Sequence, residues 1–381
     1  MVAARHGRII TLVTLVTVGS VLPVFLLGVN GPAIMDELGL DATGIGIAAG
    51  SYTAGLAVAS LALGRWLDSG PLVRAAAFSL VPVATGGVIT ALAAGLPVLA
   101  LGLCVSGVGS SAIQMSIGRI LGQLLTTGHG AAFGWFQSAK PVAVALAGGF
   151  GLLAVVGLPW RWSFLLVVAV TSSLGVVLTF WCNRLVPTHP AATPRVPLRG
   201  DVLLLAVLMG VGFALTNIST TFIPDTVLAA GGHEGWAGTL LLIGGSLAAV
   251  GRVLAGRLTD RTGRDEVSLV GPAFVTAGLG SVLISTLNLG GLLVGCVLVF
   301  ALGWAFGGLL IAKGARLHPG TSGAVVGQLL LGGAVGGSAA PPLFGTAATA
   351  WGYDTAWLVW GAVILALGCL CVWLGRPARP R

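Results

Sequence analysis

The chain has 381 residues, of which 56% are hydrophobic and only 8% charged, and its mean hydropathy is +1.01. Soluble domains carry about 25% charged residues, so this composition excludes a water-coated globule and points to a protein whose solvent is lipid. The formal charge of +8 does not signal nucleic acid binding, because the basic residues are scattered in short connectors and form no contiguous basic face.

Apolar segments of about 20 residues read as membrane-crossing helices. In chain order they are 8–29, 43–67, 74–94, 97–119, 130–156 and 162–184, then 201–223, 235–258, 267–287, 290–314, 320–348 and 352–375. The fold class expected is an all-α membrane protein of twelve helices, six in each half. Barrel strands do not fit, since no ten-residue alternating pattern is present and open strands leave backbone groups unpaired in hydrocarbon. Arg5 and Arg8 precede the first run, Ile9 to Val29. That run is longer than a signal-peptide core of about 7–15 residues, so it reads as an uncleaved first span. Between the halves lies NRLVPTHPAATPRVPLRGD, with four prolines and three arginines. Proline cannot continue a helix, which divides the chain into a bundle over 1–184, a linker over 185–200 and a second bundle over 201–381.

With the N-terminus placed inside, fifteen of the nineteen basic residues fall in or beside the inner connectors. The outer connectors hold Arg161 alone, and Arg119, Lys140 and Arg252 fall within spans. By the positive-inside rule both termini are expected in the cytoplasm, with the chain in the plasma (inner) membrane. The outer connectors are instead assigned the acids Asp36, Glu37, Asp41, Asp225, Glu234 and Asp354. The five cysteines (Cys104, Cys182, Cys296, Cys369, Cys371) form no metal-ligand or disulfide pattern and read as small packing residues.

One charged connector occurs twice. GRLTDRTGR, from Gly256 to Arg264, follows the eighth span, and GRWLDSG, from Gly64 to Gly70, follows the second. Gly256, Asp260, Arg261, Gly263 and Arg264 match, position for position, the G-x-x-x-D-R-x-G-R loop of the major facilitator superfamily, which the chain resembles. In the first copy Gly64 and Asp68 fit, Ser69 replaces the arginine, and the next basic residue is Arg74. LPWRWSF (158–164) and GYDTAW (352–357) resemble the family's entries to its sixth and twelfth helices. AKPVAVALAGG (139–149) and GGAVGGSAAPP (332–342) resemble its glycine-rich fifth and eleventh. The resemblance implies two six-helix bundles related by a pseudo-two-fold axis. It also implies a duplicated loop that braces the halves in one conformation and releases them in another. Glycine at the helix end permits close approach of a neighbour, and the aspartate suits the positive end of a helix.

Lys140 lies about ten residues into its span, hence roughly 15 Å deep at about 1.5 Å per residue. A charge at that depth is costly unless it faces water or a partner, so Lys140 is the leading candidate for substrate binding, with Gln137 one turn away on the same face. Arg252, two turns before Asp260, is a second candidate or a partner of the loop. Asn217, Trp304 and Gln114 lie on spans expected to line a cavity. Arg119 and Lys313 read as interfacial anchors. No acid falls at mid-membrane depth in the assigned spans, and the five histidines sit in loops or at ends. No nucleophile–base pair, phosphate loop or metal cluster is present, so no enzyme, cofactor or metal is expected. The expected partners are a small-molecule substrate and the bilayer, with a monomer sufficient for function. The favoured reading is a secondary transporter of a small organic anion or amphipathic metabolite. A proton-driven exporter of drugs or natural products, an antiporter, is the alternative.

Overall fold

The computed structural model describes residues 2–63, 72–124, 138–185, 200–262, 265–317 and 322–374. The described residues are helical throughout, apart from short turns. The helices are α1 (Val2–Val29), α2 (Gly31–Leu38), α3 (Ala42–Ala62), α4 (Leu72–Ala91), α5 (Leu96–Leu124), α6 (Ala139–Val155) and α7 (Trp160–Leu185). The second half comprises α8 (Gly200–Ala229), α9 (Glu234–Thr262), α10 (Val267–Ile284), α11 (Leu289–Val297), α12 (Phe306–Leu317) and α13 (Ser322–Leu374). α11 and α12 form one crossing, joined by a π turn over Leu298–Leu302 and a 3-10 turn over Gly303–Ala305. α13 makes two crossings, because Gly352 at φ 87° breaks it. With α2 set aside, this gives the 12 expected crossings. They form two six-helix bundles.

Lipid reverses the usual sorting of side chains. Large apolar residues such as Leu61, Leu92, Val156 and Leu343 are exposed, because hydrocarbon solvates them. The interior holds small residues and hydroxyls instead. α8 shows the pattern: Thr216, Ser219, Thr220 and Thr226 are buried, and each hydroxyl donates to a carbonyl one turn back. Such back-bonding satisfies a polar group without a partner helix.

The two bundles meet along α1–α8, α3–α13 and α6–α9. Close approach depends on missing side chains. A Cβ on Gly28 would fall on the carbonyl of Thr220, and one on Gly46 would fall on the carbonyl of Pro341. Both crossings lie toward the end of the molecule that carries Asp36, Glu37 and Asp41, here called the acidic end. There Thr43 donates to the hydroxyl of Thr349 across the seam at 3.1 Å. The opposite, basic end carries Arg257 and Arg316. Two ion pairs tie α10 to α12 there: Lys313 with Asp265 at 2.7 Å, and Arg316 with Glu266. Partial burial alone would raise the Asp265 carboxyl, but hydrogen bonds from Lys313 and the Val267 N–H outweigh it and leave the carboxyl below its ordinary range.

Three expectations need correction. Asp225 is not in a connector. α8 continues past Pro224 to Ala229, and Asp225 is only 4% exposed. In lipid the helix tolerates a proline that would mark an end in water. The repeated motif does not start as a loop in its second copy either. α9 runs to Thr262, so Gly256, Asp260 and Arg261 occupy its last turns. Finally, the tenth crossing is not a continuous helix but is interrupted at its middle.

A connector between α1 and α3 became α2, started by Pro32 in its first turn and ended by Gly39 at φ 63°. Both positions suit a short helix: proline needs no partner there, and the left-handed C-cap favours glycine. α2 is fastened to the first bundle through Glu37. That carboxylate accepts from the Trp160 indole at 2.5 Å and from Arg161 at 2.7 and 3.1 Å, while Arg161 also donates to the Ala91 carbonyl at 2.6 Å. The hydrogen bond from Arg161, then that from Trp160, holds the Glu37 carboxyl below its ordinary value of 4.5. A lowered carboxyl contributes stability above its unfolded pKa and loses it as pH falls through the folded one. The pair is half-exposed, so its worth is under about 1 kcal/mol. Thermal unfolding in detergent is expected to show a small loss for Arg161→Ala at neutral pH, and a smaller one, from the Ala91 carbonyl contact alone, once the medium is acidic enough to protonate Glu37.

Candidate functional site

At mid-depth the bundles separate and leave a narrow cavity. Its walls come from both halves. α1 gives Val21, Val24 and Phe25, α3 gives Tyr52, Thr53 and Leu56, and α6 gives Lys140. From the second half, α8 gives Met209, Phe213, Thr216 and Asn217, α9 gives Arg252, α12 gives Phe306, Gly307 and Ile311, and α13 gives Leu330. The close approach of α1 to α8 and of α3 to α13 seals it toward the acidic end, while Ile311 and Leu330 carry its wall toward the basic end.

Lys140 extends from the first half onto the ring of Phe213 in the second, with Nζ 3.8 Å from the ring centroid. Phe213 lies near the midpoint of the 30-residue α8, so the ammonium sits level with that helix's middle. A cation over an aromatic face in a partly dry site gains on the order of 1–2 kcal/mol. Arg252 faces the same space from α9. Its Nε donates to the Trp304 carbonyl at 3.1 Å, and its guanidinium lies 5.9 Å from the Trp304 ring centroid. That carbonyl belongs to the interrupted part of the tenth crossing, where the change from π to 3-10 pitch turns backbone groups out of the regular ladder.

The remaining polar groups of the wall are largely committed. The Tyr52 hydroxyl donates to the Ser20 carbonyl at 3.0 Å, Thr53 to the Gly50 carbonyl at 3.0 Å, and Thr216 to the Gly212 carbonyl at 2.9 Å. The Asn217 amide donates across to the Gly337 carbonyl at 3.1 Å. Lys140 and Arg252 lie within electrostatic reach of each other, and no Asp or Glu is among the described residues of the wall. Two cations of like sign thus face one cavity in a low-dielectric setting, where their mutual repulsion is weakly screened.

The candidates from the sequence divide accordingly. Lys140, Arg252 and Asn217 share the cavity. Trp304 lies behind Arg252, fully buried and packed on Phe300 at 5.1 Å between centroids. Gln114 is on α5 and donates to Ser110 at 3.3 Å, away from the wall. Gln137 lies outside the described residues. So do Gly64, Asp68, Gly263 and Arg264, together with the side chains of Arg74 and Asp260; Arg261 is exposed at the end of α9. Phe25, Tyr52, Phe213 and Phe306 were not singled out in the sequence. Their signal was available: they are scarce aromatic rings on helices otherwise rich in glycine and small residues.

A profile described as Major Facilitator Superfamily matches residues 13–341. The chain belongs to this superfamily. It is accordingly a multi-pass membrane transporter of the secondary type, with a site for a small molecule within the membrane. The fold agrees with solved structures of low sequence identity. A bacterial homologue of the human lysosomal transporter Spinster, inward-facing and unoccupied, superposes with a TM-score of 0.73 at 15% identity, over 98% of this chain and 99% of that one. A POT family transporter in complex with a thioalcohol-conjugated peptide gives 0.77 at 14% identity, over 97% and 96%. A mutant of the nucleoside transporter NupG gives 0.71 at 13% identity, over 97% and 100%.

The Arg252 contact can be checked without a substrate. Arg252→Ala strips the Trp304 carbonyl of its donor, and a buried acceptor without a partner costs about 1–3 kcal/mol. Thermal unfolding of the purified transporter is expected to show that loss. Arg252→Lys, which keeps the charge but lacks the Nε donor, is expected to fall between the two.

Proposed function

We propose that this superfamily member carries a small amphipathic organic anion by alternating access, with Lys140 and Arg252 gripping the anionic group from opposite bundles. The observation that supports this is the pair of cations on one cavity whose described wall holds no carboxylate. Phe25, Phe213 and Phe306 offer aromatic faces to an apolar body, and Asn217 adds a polar group to the wall. Because the cations belong to different bundles, a bound anion attracts both and favours their approach, whereas the empty cavity keeps like charges apart. Binding would thus act on the relative position of residues 1–184 and 201–381, joined by the linker 185–200. The duplicated motif (Gly64, Asp68 and Arg74; Gly256, Asp260, Arg261, Gly263 and Arg264) is proposed to brace the basic end when that end closes.

The reading places the basic end in the cytoplasm and the protein in the plasma membrane, on the charge asymmetry of the connectors. The close contacts described between the bundles lie at the opposite, acidic end. A second reading is favoured by one contact. Phe213 already faces Lys140, and most of the wall is apolar, as an exporter of neutral hydrophobic compounds would need. In that case the lysine is structural.

Proteoliposome uptake separates the two. With labelled benzoate as probe, Lys140→Ala is expected to weaken apparent affinity roughly tenfold to hundredfold, the loss of one charge-assisted contact, while Lys140→Arg retains most of it. Equal uptake of benzoate and neutral benzamide, indifferent to Lys140→Ala, supports the exporter instead. Sidedness has its own measurement: cysteines placed at Arg161 and Arg195 are expected to react with an impermeant thiol reagent from opposite faces of intact cells, and labelling of both from one face would refute the orientation.

A further inference from the structure

Asp225 is the one acid of α8 outside its first turn, and it sits at the seam between the bundles on the closed, acidic end. It is 4% exposed, and its carboxylate oxygens have no charged or backbone donor. Both oxygens lie against Gly31, the first residue of α2 in the opposite bundle, at 3.4 Å from where a Cβ would stand. The Tyr353 hydroxyl of α13 is its polar neighbour. Beside it, the Thr226 hydroxyl accepts from the Trp357 indole at 2.8 Å. Phe222, Phe344 and Trp357 close the site with an aromatic stack at 4.8 and 4.9 Å between centroids.

The charged and titratable groups on the surrounding elements are predominantly acidic. They are Asp36 and Glu37 on α2, Asp41 at the start of α3, Tyr353 and Asp354 on α13, and His233 and Glu234 at the start of α9. The one arginine of this end, Arg161, is engaged by Glu37. Among the described residues no ion pair reaches Asp225. An ionised carboxylate buried without a cation is disfavoured by several kcal/mol. The neutral acid fits this packing, since its proton satisfies one oxygen through a hydrogen bond to a local acceptor. The ionised form fits a hydrated seam.

We propose that Asp225 is a positioning residue for the alternating-access cycle, whose protonation latches the acidic end shut. When this end opens, water reaches the carboxylate and it ionises. When it closes, one proton from the aqueous phase on that side binds a carboxylate oxygen, and on reopening the same proton returns to that phase. Closure is therefore linked to pH on that side alone. This goes beyond the anion reading and holds whatever the cavity carries.

The test uses the full chain in liposomes, with its native cysteines replaced and spin labels on Thr43→Cys and Thr349→Cys, the two residues that touch across the seam. Pulsed electron resonance reads the distance between the labels, without substrate. Raising the pH is expected to convert a short distance into a long one, the open-to-closed ratio rising by up to about tenfold per pH unit, as for one proton exchanged. Asp225→Asn, which keeps the shape of the neutral acid, is expected to stay short at every pH. Asp225→Glu keeps a carboxyl and is expected to keep the response, and His233→Gln is expected to leave it unchanged. A wild-type distance that ignores pH overturns the proposal, as does an Asp225→Asn variant that titrates like wild type. Should Asp225→Asn fail to fold, the wild-type titration and the His233→Gln comparison still decide: a response lost with His233 belongs to that residue and refutes the latch.

Discussion

Hydrocarbon offers no hydrogen bonds, and every other feature of this transporter follows from that constraint. Backbone groups must be paired within each crossing, hence the helices; hydroxyls turn back on their own carbonyls, as along α8. Most charges face water at the ends, and Lys140 and Arg252 face the cavity. The same constraint makes small residues valuable. Without a hydrophobic drive between apolar surfaces, helices associate through close packing, and the seam at the acidic end exists because Gly28 and Gly46 admit a neighbouring backbone. A seam made of backbone contact separates and re-forms without exposing large apolar side chains to water, which suits a structure that must alternate.

Charge is used sparingly, and position gives each charge its role. Glu37 and Arg161 fasten α2 within one bundle. Asp265 with Lys313 and Glu266 with Arg316 fasten α10 to α12 within the other. Neither set crosses the seam, so each stiffens a bundle without opposing relative motion. Lys140 and Arg252 do face one another across the cavity, and they are of like sign. Attraction inside bundles and repulsion between them is an arrangement in which an anion at the centre alters the balance. Lys313 shows the difference: what resembled an interfacial anchor in the sequence is one half of an internal pair.

The interrupted tenth crossing joins two of these themes. A π turn followed by a 3-10 turn weakens the backbone ladder beside the cavity, and Arg252 supplies a donor to the Trp304 carbonyl there. An irregular backbone at membrane depth is tolerated where it is buried in protein or lines a cavity, and here it is buried behind the cavity wall. The site's cation is thereby positioned by the main chain of a neighbouring crossing rather than by a second side chain.

The sequence alone determined the class, the number of crossings and the six-plus-six division. Each depends on a one-dimensional property: the transfer free energy of a segment is set by its own composition, and the chain alternates sides at every crossing. The duplicated Gly-Asp-Arg motif named the superfamily before any contact was known. Tertiary structure decided the rest. Asp225 read as a connector residue because Pro224 precedes it, yet lipid and packing carry the helix past both. Gln114 and Asn217 look alike in the sequence, but only Asn217 reaches the cavity, since the face a helix turns inward depends on its neighbours. That Lys140 meets Phe213 and that Arg252 meets the Trp304 carbonyl are facts about residues distant along the chain. No local pattern encodes such meetings, because their energy arises only when separate helices share a space from which water and lipid are excluded.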